Sequence, residues 1–301
     1  MANMDRLAKF RKKLAHEETP ASPSLDVHSE SAPEPEVNCL AETDTSDQAV
    51  ETSRFRPAGW CSPTYDQSRK VELVPEITSA NRCIAFAEQP EVLDAYKVLR
   101  TQILQKMQLL GGNTLMVTSA LPGDGKTTTA INLAFTMAKE FQQTVLLVDC
   151  DLQQQDVHKQ MGYKSERGLI DYLLDDCPVS ELFTWPNIEK ISVVSGGRLI
   201  RESSELLGSP RMKELVSDMK LRYPERFVIF DMQSISAGAD ALVFAQLVDH
   251  IIMVVQEGKT PVSEIKRSVE MLPEGKLLGV MLNRHKIDAR PAKNPKTYVY
   301  Q

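Results

Sequence analysis

The densest chemistry in this sequence sits in eight consecutive residues, "ALPGDGKT", Ala120 to Thr127. They fit the phosphate-binding pattern G-x-x-x-x-G-K-[ST], with Ala120 at the first glycine position. Pro122, Gly123, Asp124 and Gly125 make a turn, and its two glycines let backbone N–H groups come close to phosphate oxygens. Lys126 is placed to reach β- and γ-phosphates as a point charge. The Thr127 hydroxyl is a candidate Mg²⁺ ligand, and Thr128 follows it into a helix whose N-terminus favours an anion.

Two further stretches put acids where a Mg²⁺-nucleotide would need them. "TVLLVDCDL" is a strand-length apolar run ending in Asp149 and Asp151, whose i, i+2 spacing points both carboxylates to one face. At the carboxyl edge of a parallel sheet they would meet the phosphates. Taken alone, strand-end acids serve equally as helix caps, and that reading stays open here. "RFVIFDMQS" ends in Asp231, the placement of an acid that holds Mg²⁺ directly or through water; a turn aspartate is its plainer alternative. Lys126, Asp149, Asp151 and Asp231 are the candidate catalytic groups, and Thr127, Asp149 and Asp231 the candidate metal ligands.

The elements that must carry these residues follow from the apolar pattern. "EVLDAYKVLRTQILQKMQLL" repeats apolar residues at Leu93, Tyr96, Leu99, Ile103 and Leu104, a helical period. Short runs apolar throughout, "TLMVTSA", "TVLLVDCD", "ISVVSGG", "RFVIFDM", "HIIMVVQEG" and "LLGVMLNR", suit strands buried on both faces. The expected fold is α/β: a P-loop NTPase with a mostly parallel sheet and helices on both faces, over residues 79–286. Residues 1–78 are rich in Ser, Thr, Pro, Glu and Asp and are expected to be disordered. A short basic helix over 3–16 could meet an acidic membrane surface or a partner; a solvated charged end is the alternative. Residues 287–301 read as a flexible tail bearing Tyr298 and Tyr300.

Composition bounds the function classes. A net charge of -6 over 301 residues and a pI near 5.5 argue against a general nucleic-acid binder, which would carry a basic face. No apolar run approaches the length of a membrane span, and the N-terminus lacks the apolar core of a secretory signal. Cys39, Cys61, Cys83, Cys150 and Cys177 are odd in number and scattered, so free thiols in a reducing, cytoplasmic compartment are expected.

A P-loop followed by "VDCDL" resembles the deviant-Walker ATPases, which carry a second acidic strand. Within that superfamily the partition branch has a signature lysine where this sequence has Leu121, whereas "LPGDGK" resembles the P-G-[ED]-G-K loop of the bacterial tyrosine kinases of capsule and exopolysaccharide synthesis. "DAYKVLRTQI" resembles their E-A-Y-R-x-L-R-T-N helix, "DCDLQQQDVHKQMG" their D-x-D-L-R-x-P-x-x-H-x-x-F-G stretch, and "SGGRLIRESSELLGSPRMKELV" their P-x-G-x-x-x-x-x-P-x-E-L-L-x-S-x-x-M segment. The resemblance implies ATP and Mg²⁺ as cofactors, with Asp149 and Asp151 serving Mg²⁺ and activation of an attacking tyrosine hydroxyl. It implies adenine recognition by Asn283, for which a turn asparagine is an equal alternative. It further implies a subunit contact through Asp94, Lys97 and Arg100, a homo-oligomeric ring, and phosphate transfer in trans onto Tyr298 and Tyr300. A separate membrane chain-length-determinant or co-polymerase protein would be the partner, holding the chain at the inner face of the cell membrane. Gln153 stands where the family has Arg, Gln155 where it has Pro, and "DMQSIS" where it has D-[TS]-P-P. Those departures keep a second function in view, a non-kinase ATPase switch assembling on a membrane partner.

Overall fold

Among the described residues eight strands form one sheet. β1 (Arg69–Lys70), β2 (Thr114–Ser119), β3 (Thr144–Asp149), β4 (Phe183–Trp185), β5 (Ile191–Val194), β6 (Arg226–Asp231), β7 (His250–Gln256) and β8 (Leu277–Asn283) stand in the order β1-β4-β5-β3-β6-β2-β7-β8. Every pairing is parallel except β4 with β5. This computed structural model describes residues 68–83, 90–140, 143–223 and 225–285; the expected helix at 3–16 and the tail tyrosines Tyr298 and Tyr300 lie outside them. β2 is buried along its whole length, and β3 and β7 at all but one residue, which is why their sequences show no polar alternation.

The described helices are α1 (Pro75–Ala80), α2 (Pro90–Leu110), α3 (Lys126–Met137), α4 (Val157–Met161), α5 (Leu169–Asp175), α6 (Ser204–Leu207), α7 (Pro210–Leu221), α8 (Asp240–Phe244) and α9 (Val262–Glu270). α3 follows the P-loop and is buried at every residue except Thr128. It lies between the sheet and α2, which buries Tyr96, Ile103 and Met107 and packs Leu93, Leu99 and Leu104 against the same core. Each fully buried side chain of this kind contributes about 1.5–3 kcal/mol, so the phosphate-binding helix is clamped on two sides. α7 starts where its sequence says it should: Ser209 Oγ accepts from Met212 N at 3.2 Å and Pro210 opens the first turn.

Ordered structure begins ahead of residue 79, where the sequence reading sets the domain boundary. β1 joins the sheet beside β4, continued by Val71 N donating to Trp185 O at 2.9 Å. α1 buries Thr78 and seats Ile77 and Val74 over Gly162 at the end of α4. A two-residue strand and a six-residue helix carry too little period to stand out from a polar segment. β4 escaped notice for the same reason, being three residues long and the sole antiparallel member among the described pairings.

Candidate active site

The sheet order brings the three acids and the P-loop to one edge. β6 pairs with β2 on one side and β3 on the other, with Asp149 directly opposite Asp231 in the β3–β6 register and Asp231 opposite Val117 of β2. The loop leaving β2 is the P-loop. Two carboxylates side by side on neighbouring strands, both with no exposure, repel each other unless a cation stands between them.

Lys126 supplies positive charge beside them. Its Nζ donates to Asp151 Oδ2 at 2.8 Å and to Thr127 Oγ1 at 3.2 Å, and the residue is 8% exposed. Burial pulls its pKa down, but the charges of Asp231 and Asp151 outweigh burial and leave it above the ordinary lysine value. Asp149 accepts from Asp151 N and from Val157 N, each at 3.2 Å, and the second bond ties it to the start of α4. The capping role left open by the sequence is thus one thing Asp149 does. Burial first and Asp231 second push its carboxyl well above the usual range. Burial likewise raises Asp231 to about 6, with the Lys126 charge and the nearby Thr127 hydroxyl pulling the other way. Neither carboxylate oxygen of Asp231 makes a hydrogen bond of ordinary geometry.

Those orphaned oxygens test whether Mg²⁺ fits. Three buried acids face one lysine, and near Asp231 only the Thr127 hydroxyl approaches the carboxylate, without ordinary hydrogen-bond geometry. Among the described residues no cluster of three or more His, Cys, Asp or Glu side chains forms a protein-only metal cage. A hard cation held by one or two carboxylates, a hydroxyl, water and nucleotide phosphates matches both observations. The residues fit Mg²⁺ arriving with a nucleotide.

The cleft itself is lined by Gly123, Gly125, Lys126, Thr127, Asp151 and Gln233, among others, and has a volume of about 260 Å³. Gly125 stands at φ +99°, in the left-handed region, and a Cβ there would fall 2.1 Å from Asn283 Nδ2. Gly125→Ala therefore combines backbone strain with a collision. It is expected to cost about 1–3 kcal/mol of folding stability and to weaken nucleotide binding, read by denaturant unfolding and by calorimetry with ATP.

The remaining expected residues stand around the cleft and on α2. Asp124 turns its carboxylate back into the loop, accepting from Leu121 N at 3.0 Å and from Thr260 Oγ1 at 2.8 Å, so it braces the turn. Pro122 and Thr128 line the cleft, Thr128 Oγ1 donating to Gln160 Oε1 at 2.9 Å. Asn283 Nδ2 donates to Asp124 O at 2.8 Å while its Oδ1 accepts from Arg284 N at 2.8 Å. The Nδ2 end of its amide thus braces the P-loop and the Oδ1 end the backbone just after β8, at the flank of the cleft. Asp94 and Lys97 pair with each other at 2.8 Å on the exposed face of α2. Arg100 points inward, donating to Thr136 O at 3.0 Å and pairing with Glu140 at 2.9 Å, so its charge is already used at the end of α3.

The positions that depart from the family pattern stand in and beside the cleft. Gln153 donates weakly to Ser203 and Asp240, at 3.3 and 3.4 Å. Gln155 is 1% exposed at φ +51°, donating from Nε2 to Arg198 O at 2.8 Å, with Gly196 tight against its side chain. Proline is locked near φ -65° and cannot occupy that conformation. Gln233, Ser234 and Arg284 also border the cleft.

Comparison with known proteins places this geometry. The model of the "CobQ/CobB/MinD/ParA nucleotide binding domain" matches residues 115–296. Tyrosine-protein kinase YwqD of Bacillus subtilis is 33% identical over 210 residues, covering 68% of this chain and 87% of its own length. The succinoglycan biosynthesis transport protein ExoP of Rhizobium meliloti is 30% identical over 59% of this chain, which spans only 23% of that longer protein. The solved kinase domain of the Escherichia coli tyrosine kinase ETK superposes with a TM-score of 0.61 at 28% identity, covering 69% of this chain and 80% of that one.

Proposed function

The chain belongs to the CobQ/CobB/MinD/ParA nucleotide-binding family and, within it, to the bacterial tyrosine-protein kinases, and on that premise we propose that it is an ATP-dependent tyrosine autokinase acting in exopolysaccharide or capsule synthesis. The observation that carries the reading is the buried set of Lys126, Asp149, Asp151 and Asp231 at the mouth of the P-loop. The kinase names of relatives and the polysaccharide name of ExoP support it.

In this reading the γ-phosphate draws Lys126 away from Asp151, and the loop N–H groups between Gly123 and Thr127 hold the phosphate chain. Thr127, Asp149 and Asp231 would hold Mg²⁺, which neutralises charge on the β- and γ-phosphates when bound. A tyrosine hydroxyl attacks the γ-phosphorus in line, its proton passes to the Asp149–Asp151 pair, and ADP leaves. Burial and the Asp231 charge raise the Asp149 carboxyl, which makes it a stronger base than an ordinary carboxylate. The acceptors are Tyr298 and Tyr300 of a second copy in a homo-oligomer, with a membrane chain-length-determinant protein as the activating partner. Among the described residues no helix is long and apolar enough to cross a membrane; in this reading the membrane partner is a separate chain.

Purified full-length protein with Mg-ATP, and with the partner's inner segment added, should acquire phosphotyrosine by mass spectrometry. Tyr298→Phe with Tyr300→Phe should remove most of the label and leave ATP affinity unchanged. Hydrolysis of ATP with no phosphotyrosine on the wild type would replace the kinase by an ATPase switch.

A further inference from the structure

We infer that Gln233 and Ser234, immediately beyond the β6 acid, are additional ligands for the γ-phosphoryl group, a role no motif assigns them. The inference rests on the reading of the cleft as an ATP site. Gln233 is 4% exposed and Ser234 1% exposed, yet Gln233 Nε2 and Ser234 Oγ have no hydrogen-bond partner. Both residues line the cleft together with Lys126 and Thr127. A buried donor left unmade is costly, so two adjacent ones in residues that line the same cleft call for an acceptor that arrives from outside.

The segment cannot turn away to satisfy them. Thr118 Oγ1 donates to Gln233 O at 2.7 Å, Ala237 N to Ser234 O at 3.0 Å, and Ser236 N to Ala120 O at 3.3 Å. The stretch is thereby pinned to β2 and to the first residue of the P-loop. The sheet order sets β8 and Asn283 on one flank of that loop and β6 on the other, beside Asp231 and Asp149. The β6 flank is where the terminal phosphate meets the metal-binding acids. The kinase pattern D-[TS]-P-P offers no side-chain donor from its prolines; here an amide N–H and a hydroxyl occupy the segment. Donors fixed before the reaction favour the charge on the transferring phosphoryl oxygens at little reorganisation cost.

A ligand of the γ-phosphate distinguishes tri- from diphosphate. Calorimetry on the full chain with Mg-ADP and with the non-hydrolysable imido analogue of Mg-ATP tests this, using Gln233→Met and Ser234→Ala. Each substitution should weaken the analogue on the order of tenfold while ADP affinity stays within about twofold. The thermal midpoint of the nucleotide-free variants should hold or rise, since an unpaired buried group is removed. Unchanged affinity for the analogue, or equal weakening of both nucleotides, overturns the assignment. A wild type that binds neither nucleotide overturns the ATP reading itself, a separate failure from a wild type that binds both with a ratio the variants leave unmoved.

Discussion

Lys126→Ala is expected to abolish phosphotyrosine formation and to weaken ATP binding by about a hundredfold or more. In the free protein this ammonium is the cation shared by three buried carboxylates, with its direct bond to Asp151. Removing it leaves Asp149, Asp151 and Asp231 facing one another in low dielectric, and an arriving triphosphate adds further negative charge. Two losses therefore coincide: the phosphate ligand, and the charge that makes the site tolerable to an anion. Intact-mass detection of phosphotyrosine measures the first outcome and calorimetry the second. A thermal melt of the variant separates them from unfolding, because breaking a buried pair costs about 3–5 kcal/mol unless the acids take up protons. Retained label in a folded Lys126→Ala protein would show that the chemistry comes from another chain.

Asp231→Asn should move activity and stability in opposite directions. Turnover is expected to fall by about two orders of magnitude or more, as for loss of a group acting on developing charge. The nucleotide-free protein should become more stable at neutral pH. The sign follows from proton binding. Burial raises this carboxyl from 3.8 in the unfolded chain to about 6 in the folded one. Between those values the folded state holds more protons, so stability falls as pH rises through the window and stays lower above it. The upper bound is about 3 kcal/mol from a shift of roughly two units. Thermal midpoints from about pH 4.5 to 7.5 should decline in the wild type relative to Asp231→Asn. Parallel curves would sink the assignment of that slope to Asp231. Saturating Mg-nucleotide should cancel the decline, because it compensates the ionised form.

The site was legible in the sequence because its chemistry tolerates few residue types. Phosphate binding requires glycine at Gly123 and Gly125, a lysine and a hydroxyl in fixed order, and buried parallel strands leave acids such as Asp149 and Asp231 conspicuous after apolar runs. What depends on long-range contact was not legible. Nothing in "DAYKVLRTQI" says that Arg100 turns under α2 to the end of α3 while Lys97 stays outside with Asp94. Nothing near "VMLNR" says that Asn283 bonds the P-loop 159 residues away. β1 and α1 derive their order from β4 and α4, partners distant in sequence, so their local composition resembled the polar segment ahead of them. At Gln233 and Ser234 the sequence shows only a departure from the D-[TS]-P-P pattern; their burial without a partner emerges from the fold.

The left-handed turn at Gln155 has a consequence for how this chain can be recombined with its relatives. A Cβ on Gly196 would come within 2.6 Å of Gln155 Cδ, and the Gln155 amide is bound to Arg198 O, so the two turns are fitted to each other. Restoring proline at 155 requires a different backbone there, and with it a different occupant of the space beside residue 196. The two segments behave as one heritable unit, though some forty residues of chain lie between them. A chimera with its crossover inside that interval inherits half of the fit and should fold poorly, whereas one that exchanges 153–198 as a block keeps it whole.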